Sequence, residues 1–414
     1  MEFYTKTPPI DGEIKRKMSD FLVREITLDG TMLEIKCFGA GDKKETEKEW
    51  PQNADEKKEH LILTMEKFNY DANNAVRIIA RVLQVSNKRI GFAGMKDKRA
   101  ITVQKISVWK PDYEKVKNFN SRYIDLRDAQ WSNTRIELGD LKGNAFEITI
   151  RNISLEKMEL EKTIKNCFDE MQNGIPNFFG SQRFGGIRQI THRVGKEFLK
   201  GNTENAVMLY LTGLSAQEEE EIKTARQNLA RTGDFSSATH EFPVKYRFER
   251  SIIHHLCKYP KDFAGAFRKL PKNLVYMFVH AYQSHLFNRI IVERIKQGFG
   301  VAEIKGDVLE DGVPTVPLFG FNSEFSGGKS GEIEKKILKD EGIELSEFKV
   351  KEMPELSSKG SRKKMVLHPK NLKLAKTGPD EMYEGRLKAV ISFELNKGNY
   401  ATTVLCELLK KEIL

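Results

Sequence analysis

Cysteine is scarce in this chain. Cys37, Cys167, Cys257 and Cys406 are the four among 414 residues, far apart and without a CxxC pair. Such spacing excludes a zinc ribbon or a disulfide framework and suits a reducing cytosol, so a cytoplasmic location is expected. Long apolar runs are lacking as well. No stretch reaches the about 18 residues that a membrane-crossing helix needs, and no membrane partner is expected. The first twenty residues, MEFYTKTPPIDGEIKRKMSD, hold no apolar core and are not expected to act as a signal peptide.

Metal and phosphate motifs are missing too. His280 and His285 are five apart on a predicted helix, about 140° around its axis, and so do not share a face. His254 and His255 are adjacent and point apart, and there is no HExxH. SGGKSG at 326–331 holds Gly-Lys-Ser before a helix, yet the position that a Walker A loop reserves for its first glycine is Ser323. A flexible loop is the better reading there. Nucleophile elbows of the GxSxG type are absent.

What the chain does have is length and positive charge. Its 414 residues exceed one typical domain, and 39% hydrophobic content allows a sizeable core. Lys and Arg number 69 against 59 Asp and Glu, a formal +10. That excess fits a polyanion partner without identifying one.

Residues 20–38 alternate as strands with a turn at Asp29-Gly30. A polar, charged hairpin loop is predicted over 39–59, followed by a strand at HLILTM. Asp71 caps a predicted helix running through Ser86, with Ala72, Ala75, Val76, Ile79, Ala80, Val82 and Leu83 as its apolar stripe. Further strands are predicted at ITVQKISVW, TRIELGDL and AFEITIRNI, and a helix over 154–173 that Gly174 and Pro176 end. Past Gly186 the texture changes. Glu218–Glu221 open a helix, another spans 273–297, residues 305–361 read as Gly-rich and irregular, and a strand at 386–396 precedes a helix at 400–409.

Two segments carry chemistry. In GFAGMKDKRAITVQ (91–104) two glycines place Asp97 in a tight loop between helix and strand, beside Lys96, Lys98 and Arg99. Cations favour the charged form that a carboxylate needs as nucleophile or base. The plain alternative is a solvated turn with neutralised charges. In PNFFGSQRFG (176–185) aromatics, an amide and Arg183 suit a flipped or single-stranded base, which a ring stacks and an amide reads. The plain alternative is that Phe178, Phe179 and Phe184 pack the core.

At these residues the sequence resembles the TruD family of tRNA pseudouridine synthases. GFAGMKDKRAITVQ is similar to the family's signature around its catalytic aspartate, and PNFFGSQRFG to its second signature. DFLVRE (20–25), LKGNAF (141–146), HAYQSHLFNRIIVERI (280–295), RKKMVLHP (362–369) and KGNYATTVLCELL (397–409) follow in the family's order. The likeness is closer to the archaeal and eukaryotic branch, and the 39–59 loop is longer than in compact bacterial members.

The resemblance implies an α+β fold: a pseudouridine-synthase core with a mixed, largely antiparallel sheet and flanking helices, plus an inserted α+β domain. The core would comprise 1–187 and 362–414, and the family-specific insertion 188–361. It implies Asp97 as the catalytic aspartate and Lys15 as the basic residue pairing with it, although Arg16 or Lys17 could take that register. Phe179 would stack on the target uracil and Asn177 would help hold it, with supporting roles for Lys96, Gln104 and Arg183. The activity implied is isomerisation of uridine to pseudouridine in tRNA, typically at uridine 13. No metal or cofactor is needed, tRNA is the partner, and a monomer is favoured. The alternative is a non-catalytic RNA-binding or chaperone protein using the same basic cleft. A nuclease or NTPase is disfavoured by the missing carboxylate and histidine clusters and by Ser323.

Overall fold

The computed structural model describes residues 3–39, 44–45, 48, 50–51 and 58–413. Most of the loop expected at 39–59 therefore lies outside the described residues. The chain forms two compact units. One takes residues 3–174 and 368–411, and the other takes 175–367 with the described residues 412 and 413. The chain crosses at 174/175 and 367/368, where the sequence expectation put the junctions at 187/188 and 361/362.

The first unit begins with β1 (Phe21–Ile26), β2 (His60–Phe68), α1 (Ala72–Leu83), β3 (Ile90–Phe92), β4 (Ile101–Trp109), α2 (Tyr113–Lys117), β5 (Ile124–Ser132), β6 (Gly143–Ile153) and α3 (Lys157–Met171). The second unit contributes β7 (Ile175–Pro176), α4 (Thr191–Leu199), α5 (Thr203–Thr212), α6 (Glu220–Thr232), α7 (Phe235–Glu241), α8 (Arg247–Lys258), α9 (Phe263–Phe267) and α10 (Lys272–Lys296). It continues with β8 (Val308–Glu310), β9 (Val313–Leu318), α11 (Gly328–Glu341), β10 (Ser361–Lys364) and β11 (Val366–Leu367). The chain returns to the first unit with β12 (Lys370–Pro379), β13 (Leu387–Asn396) and α12 (Ala401–Leu409).

A sheet ordered β12-β13-β6-β1-β4-β2-β5, with β3 added beside β4, organises the first unit. Only the β1–β4 pairing is parallel, so the sheet is mixed and largely antiparallel. The stripe on α1 explains its seat: Ala75, Val76, Ile79, Ala80 and Leu83 pack on Leu61, Leu63 and Met65 of β2 and Ile106 and Val108 of β4. Asp71 caps it, its carboxylate accepting from the Asn74 amide at 2.9 Å. The helix stops three residues before Ser86, because Gln84 turns left-handed at φ 56°.

Two predicted strands do not form. Residues 33–38 form no strand: Met32 before them makes an isolated bridge with Ile26, and Phe38 is a lone bridge residue. The amides of Lys36, Cys37 and Phe38 donate instead to the Glu66 carboxylate, which takes the donors a strand ladder would use. TRIELGDL is irregular, its Ile136 amide donating to Ser107 Oγ and its Glu137 amide to Asp140.

The second unit is mostly helical, built along α10. Gly195 on α4 is required where the two helices cross, since a Cβ there would stand 2.1 Å from the Phe278 carbonyl oxygen. Residues 305–361 are more regular than expected and hold β8, β9, α11 and the start of β10. Ser326, in the Gly-Lys-Ser loop, gives its amide and hydroxyl to Glu334, so a carboxylate fills the place a phosphate would need.

Candidate active site

Asp97 sits between β3 and β4 in the first unit. The loop can lie close to the sheet because Gly91 has no side chain: a Cβ would meet the Ile136 carbonyl oxygen at 2.3 Å. Asp97 Oδ1 lies 2.8 Å from Lys15 Nζ, with side-chain exposures of 44% and 21%. Lys15 has φ 56°, an uncommon left-handed conformation for a residue with a side chain, and its ammonium rests 4.2 Å from the centre of the Phe21 ring. The other two cations of that cluster go elsewhere: Arg16 meets Glu13 at 3.1 Å and Lys17 meets Glu381 at 3.5 Å. Lys98 and Arg99 are exposed beside Asp97.

Beneath the exposed pair the loop is held by buried charge. Lys96 Nζ lies 2.7 Å from Glu25 Oε2, both side chains almost fully buried, and Glu25 Oε1 accepts from the Lys105 amide at 3.0 Å. Lys67, fully buried on β2, donates to the carbonyl oxygens of Tyr70 at 2.6 Å and of Asp97 itself at 2.9 Å. Burial pushes the Lys67 ammonium down to about 8, against the opposing pull of the Asp97 charge. Gln104 Nε2 donates to the Gly94 carbonyl at 3.2 Å, while its Oε1 is buried without a partner among the described residues.

Asn177, Phe179 and Arg183 belong to the second unit. The Asn177 amide nitrogen of the main chain donates to Met365 O at 2.8 Å and its Nδ2 to Lys364 O at 3.1 Å, which ties the segment to the strand end at 364–365. Asn288 on α10 clamps Phe179 at both main-chain groups: Phe179 N donates to Asn288 Oδ1, and Asn288 Nδ2 to Phe179 O, each at 2.9 Å. The Phe179 ring meets Phe287 edge to face at 5.3 Å. Arg183 donates Nε to Ser284 Oγ at 3.0 Å and lays its guanidinium 5.6 Å from the Phe179 ring centre. Phe178 and Phe179 are both buried, 6% and 8% exposed, as in the packing alternative, and Phe184 stands edge-on to His192 and His285.

Sequence reasoning missed Lys67, Glu25 and Asn288 as individual residues. Glu25 and Asn288 lie inside quoted strings, DFLVRE and HAYQSHLFNRIIVERI. Lys67 had no signal, ending an apolar strand where a charged flank is ordinary. His285 is 3.3 Å from Glu341 and stacked on His192 at 4.7 Å, a satisfied partner set. Among the described residues no group of three or more His, Cys, Asp or Glu side chains could hold a metal ion, and no helix is long and apolar enough to cross a membrane.

The sequence matches the family model described as tRNA pseudouridine synthase D (TruD) over residues 1–312 and 309–408. A protein of Methanosarcina mazei named "Probable tRNA pseudouridine synthase D" is 38% identical, covering 99% of this chain and 95% of the relative. One of the same name from Methanopyrus kandleri is 40% identical, covering 85% of this chain and 86% of the relative. The crystal structure of a TruD protein from Methanosarcina mazei superposes with a TM-score of 0.82 at 37% identity, covering all of this chain and 96% of that one.

Proposed function

The chain belongs to the TruD family of tRNA pseudouridine synthases, and from that premise we propose that it isomerises uridine to pseudouridine in tRNA, at position 13, with Asp97 as the catalytic carboxylate. In this isomerisation the C1′–N1 glycosidic bond breaks, the uracil rotates, C5 bonds to C1′ and gives up its proton, and the freed N1 takes one up. No redox partner is consumed. A paired uridine must first leave its stack, at a cost of a few kcal/mol. In our reading the Phe179 ring offsets part of that cost, Asn177 helps hold the base, and Arg183 supports the ring.

The observation that carries this reading is the Lys15–Asp97 pair: a half-exposed carboxylate with its oxygen 2.8 Å from an ammonium, on a loop whose main chain is pinned from below. Asp97 either attacks C1′, adds to the ring or removes a proton to give a glycal; each route needs the carboxylate fixed and reachable. Lys15 orients it, Lys96 anchors the loop, and Gln104 holds the Gly94 carbonyl. A cytoplasmic location and action as a monomer complete the proposal.

Mapping pseudouridine on tRNA treated with the protein, with untreated tRNA as reference, tests the reading and the target position together. A new pseudouridine at position 13 supports it. Tight tRNA binding with no product would favour a non-catalytic RNA-binding protein instead.

A further inference from the structure

Strand β10 places three cations in a row, Arg362, Lys363 and Lys364, and the structure compensates only two of them. Arg362 donates to Thr315 and Ser326 and stands 3.3 Å from the Glu334 carboxylate. Lys364 meets Asp311 at 2.6 Å. Both neighbours therefore spend their charge within the unit. Lys363 does not: among the described residues no carboxylate lies within ion-pair distance of its ammonium and no hydrogen bond holds it. Its Nζ lies 5.3 Å from the centre of the Phe179 ring and 5.6 Å from that of Phe287.

Taking an ammonium out of water without a counter-charge is unfavourable, and ring faces compensate only in part. Burial alone pushes Lys363 down to about 8. A cation kept uncompensated beside the Phe179 and Phe287 rings is open to an anion, and a nucleotide that stacks on Phe179 brings its own phosphodiester.

We propose that Lys363 binds a phosphodiester oxygen of the nucleotide whose base stacks on Phe179. The inference rests on the reading of Phe179 given above. When the phosphate arrives, it supplies the charge the protein withholds, and the ammonium gains hydrogen bonds in place of bare aromatic contact. Arg362 and Lys364 then keep the strand in place, and Lys363 alone on β10 engages RNA.

The test uses the full chain carrying Asp97→Asn, so that binding is read without turnover. tRNA affinity is measured over a range of salt, with and without Lys363→Gln. Loss of one phosphate contact makes the plot of log affinity against log salt shallower by about 0.7–0.9, and Lys363→Arg should restore the slope. Weaker binding with an unchanged slope in a folded Lys363→Gln protein means a packing role and overturns the proposal. Should Lys363→Gln fail to fold, the Lys and Arg forms are compared alone: the affinity of the Lys form should fall above about pH 8 while that of the Arg form does not. Identical pH dependence overturns the proposal. Retained turnover in Phe179→Ala alone would remove the stacking role of the ring; the salt slope would still report on Lys363.

Discussion

Lys67 and Asp97 are joined through the main chain: the ammonium of the buried lysine donates to the carbonyl oxygen of the aspartate at 2.9 Å, while Lys15 takes the aspartate's carboxylate at 2.8 Å. Two cations thus fix the two ends of one residue, one from inside the sheet and one from the surface. The buried contact sets where the side chain starts, and the exposed contact sets where it points.

Replacing Lys67 with Met keeps the length and apolar stem but strands the carbonyls of Tyr70 and Asp97. A loop shift of about 1 Å at a reacting group costs about 10²-fold in rate. Lys67→Met is therefore expected to lower kcat by roughly that factor while tRNA affinity stays within a few-fold, since phosphate contacts dominate binding. Single-turnover pseudouridine formation beside filter binding checks this; equal losses in both would remove the positioning role.

Asp97→Asn preserves shape and removes the charge. Pseudouridine formation should disappear, with tRNA affinity within several-fold. Lys15→Met should lower turnover while leaving the fold intact, because the pair it breaks is partly exposed. Turnover retained by Asp97→Asn would refute the assignment of the catalytic carboxylate.

Phe179→Ala and Asn288→Ala attack one platform in two ways. The first deletes the ring, and the second frees the main chain that carries it. Base–aromatic stacking is worth about 1–3 kcal/mol, so each variant should lose turnover more than affinity, with Phe179→Ala the more severe. Together they should cost less than the sum of their separate effects, because both act through one ring. Additive losses in a double-mutant cycle would mean that Asn288 acts on something else.

Glu25→Gln leaves the Lys96 ammonium buried without its partner. Breaking a buried pair on one side costs about 3–5 kcal/mol, large enough to appear as a clear drop in the denaturant midpoint. Removing both charges with a Glu25→Gln, Lys96→Met pair should recover part of that stability while leaving activity low.

The parts of this molecule set by local pattern were legible in its sequence. Asp71 and the stripe of Ala72, Ala75, Val76, Ile79, Ala80 and Leu83 specify a capped amphipathic helix, although Val82, expected in the stripe, is exposed, and the alternation of AFEITIRNI specifies a strand. Residues 33–38 were misread because their amides answer to Glu66, about thirty residues away, and no local pattern records that contact. The same limit hid Lys363. A run of three basic residues looks uniform until Glu334 and Asp311, 28 residues before Arg362 and 53 before Lys364, neutralise the outer two. Asp97 stands out through a long family signature; the lysine that pins it does not, since a lysine closing a strand has many ordinary explanations.

Raising the pH should move stability and activity in opposite directions through Lys67. Burial holds its folded-state value at about 8, below the ordinary lysine value of about 10.4. Between those values the unfolded chain binds the extra proton, so this group makes stability rise with pH across that window. The charged groups that bear on it are Asp97, Lys96 and Asp71. Below the window the folded state carries the cost of a buried ammonium; above it that cost is gone, an effect of at most about 3 kcal/mol. Turnover runs the other way, because a neutral Lys67 no longer holds the Asp97 carbonyl with a charged donor. Urea unfolding near pH 7 and about pH 9.5 should therefore show Lys67→Met more destabilising at the higher pH, while kcat at saturating tRNA falls above about pH 8 only when Lys67 is present. A stability difference that stays flat across that window would mean the folded-state lysine keeps its proton as the unfolded one does, and the alkaline loss of activity would then belong to another group.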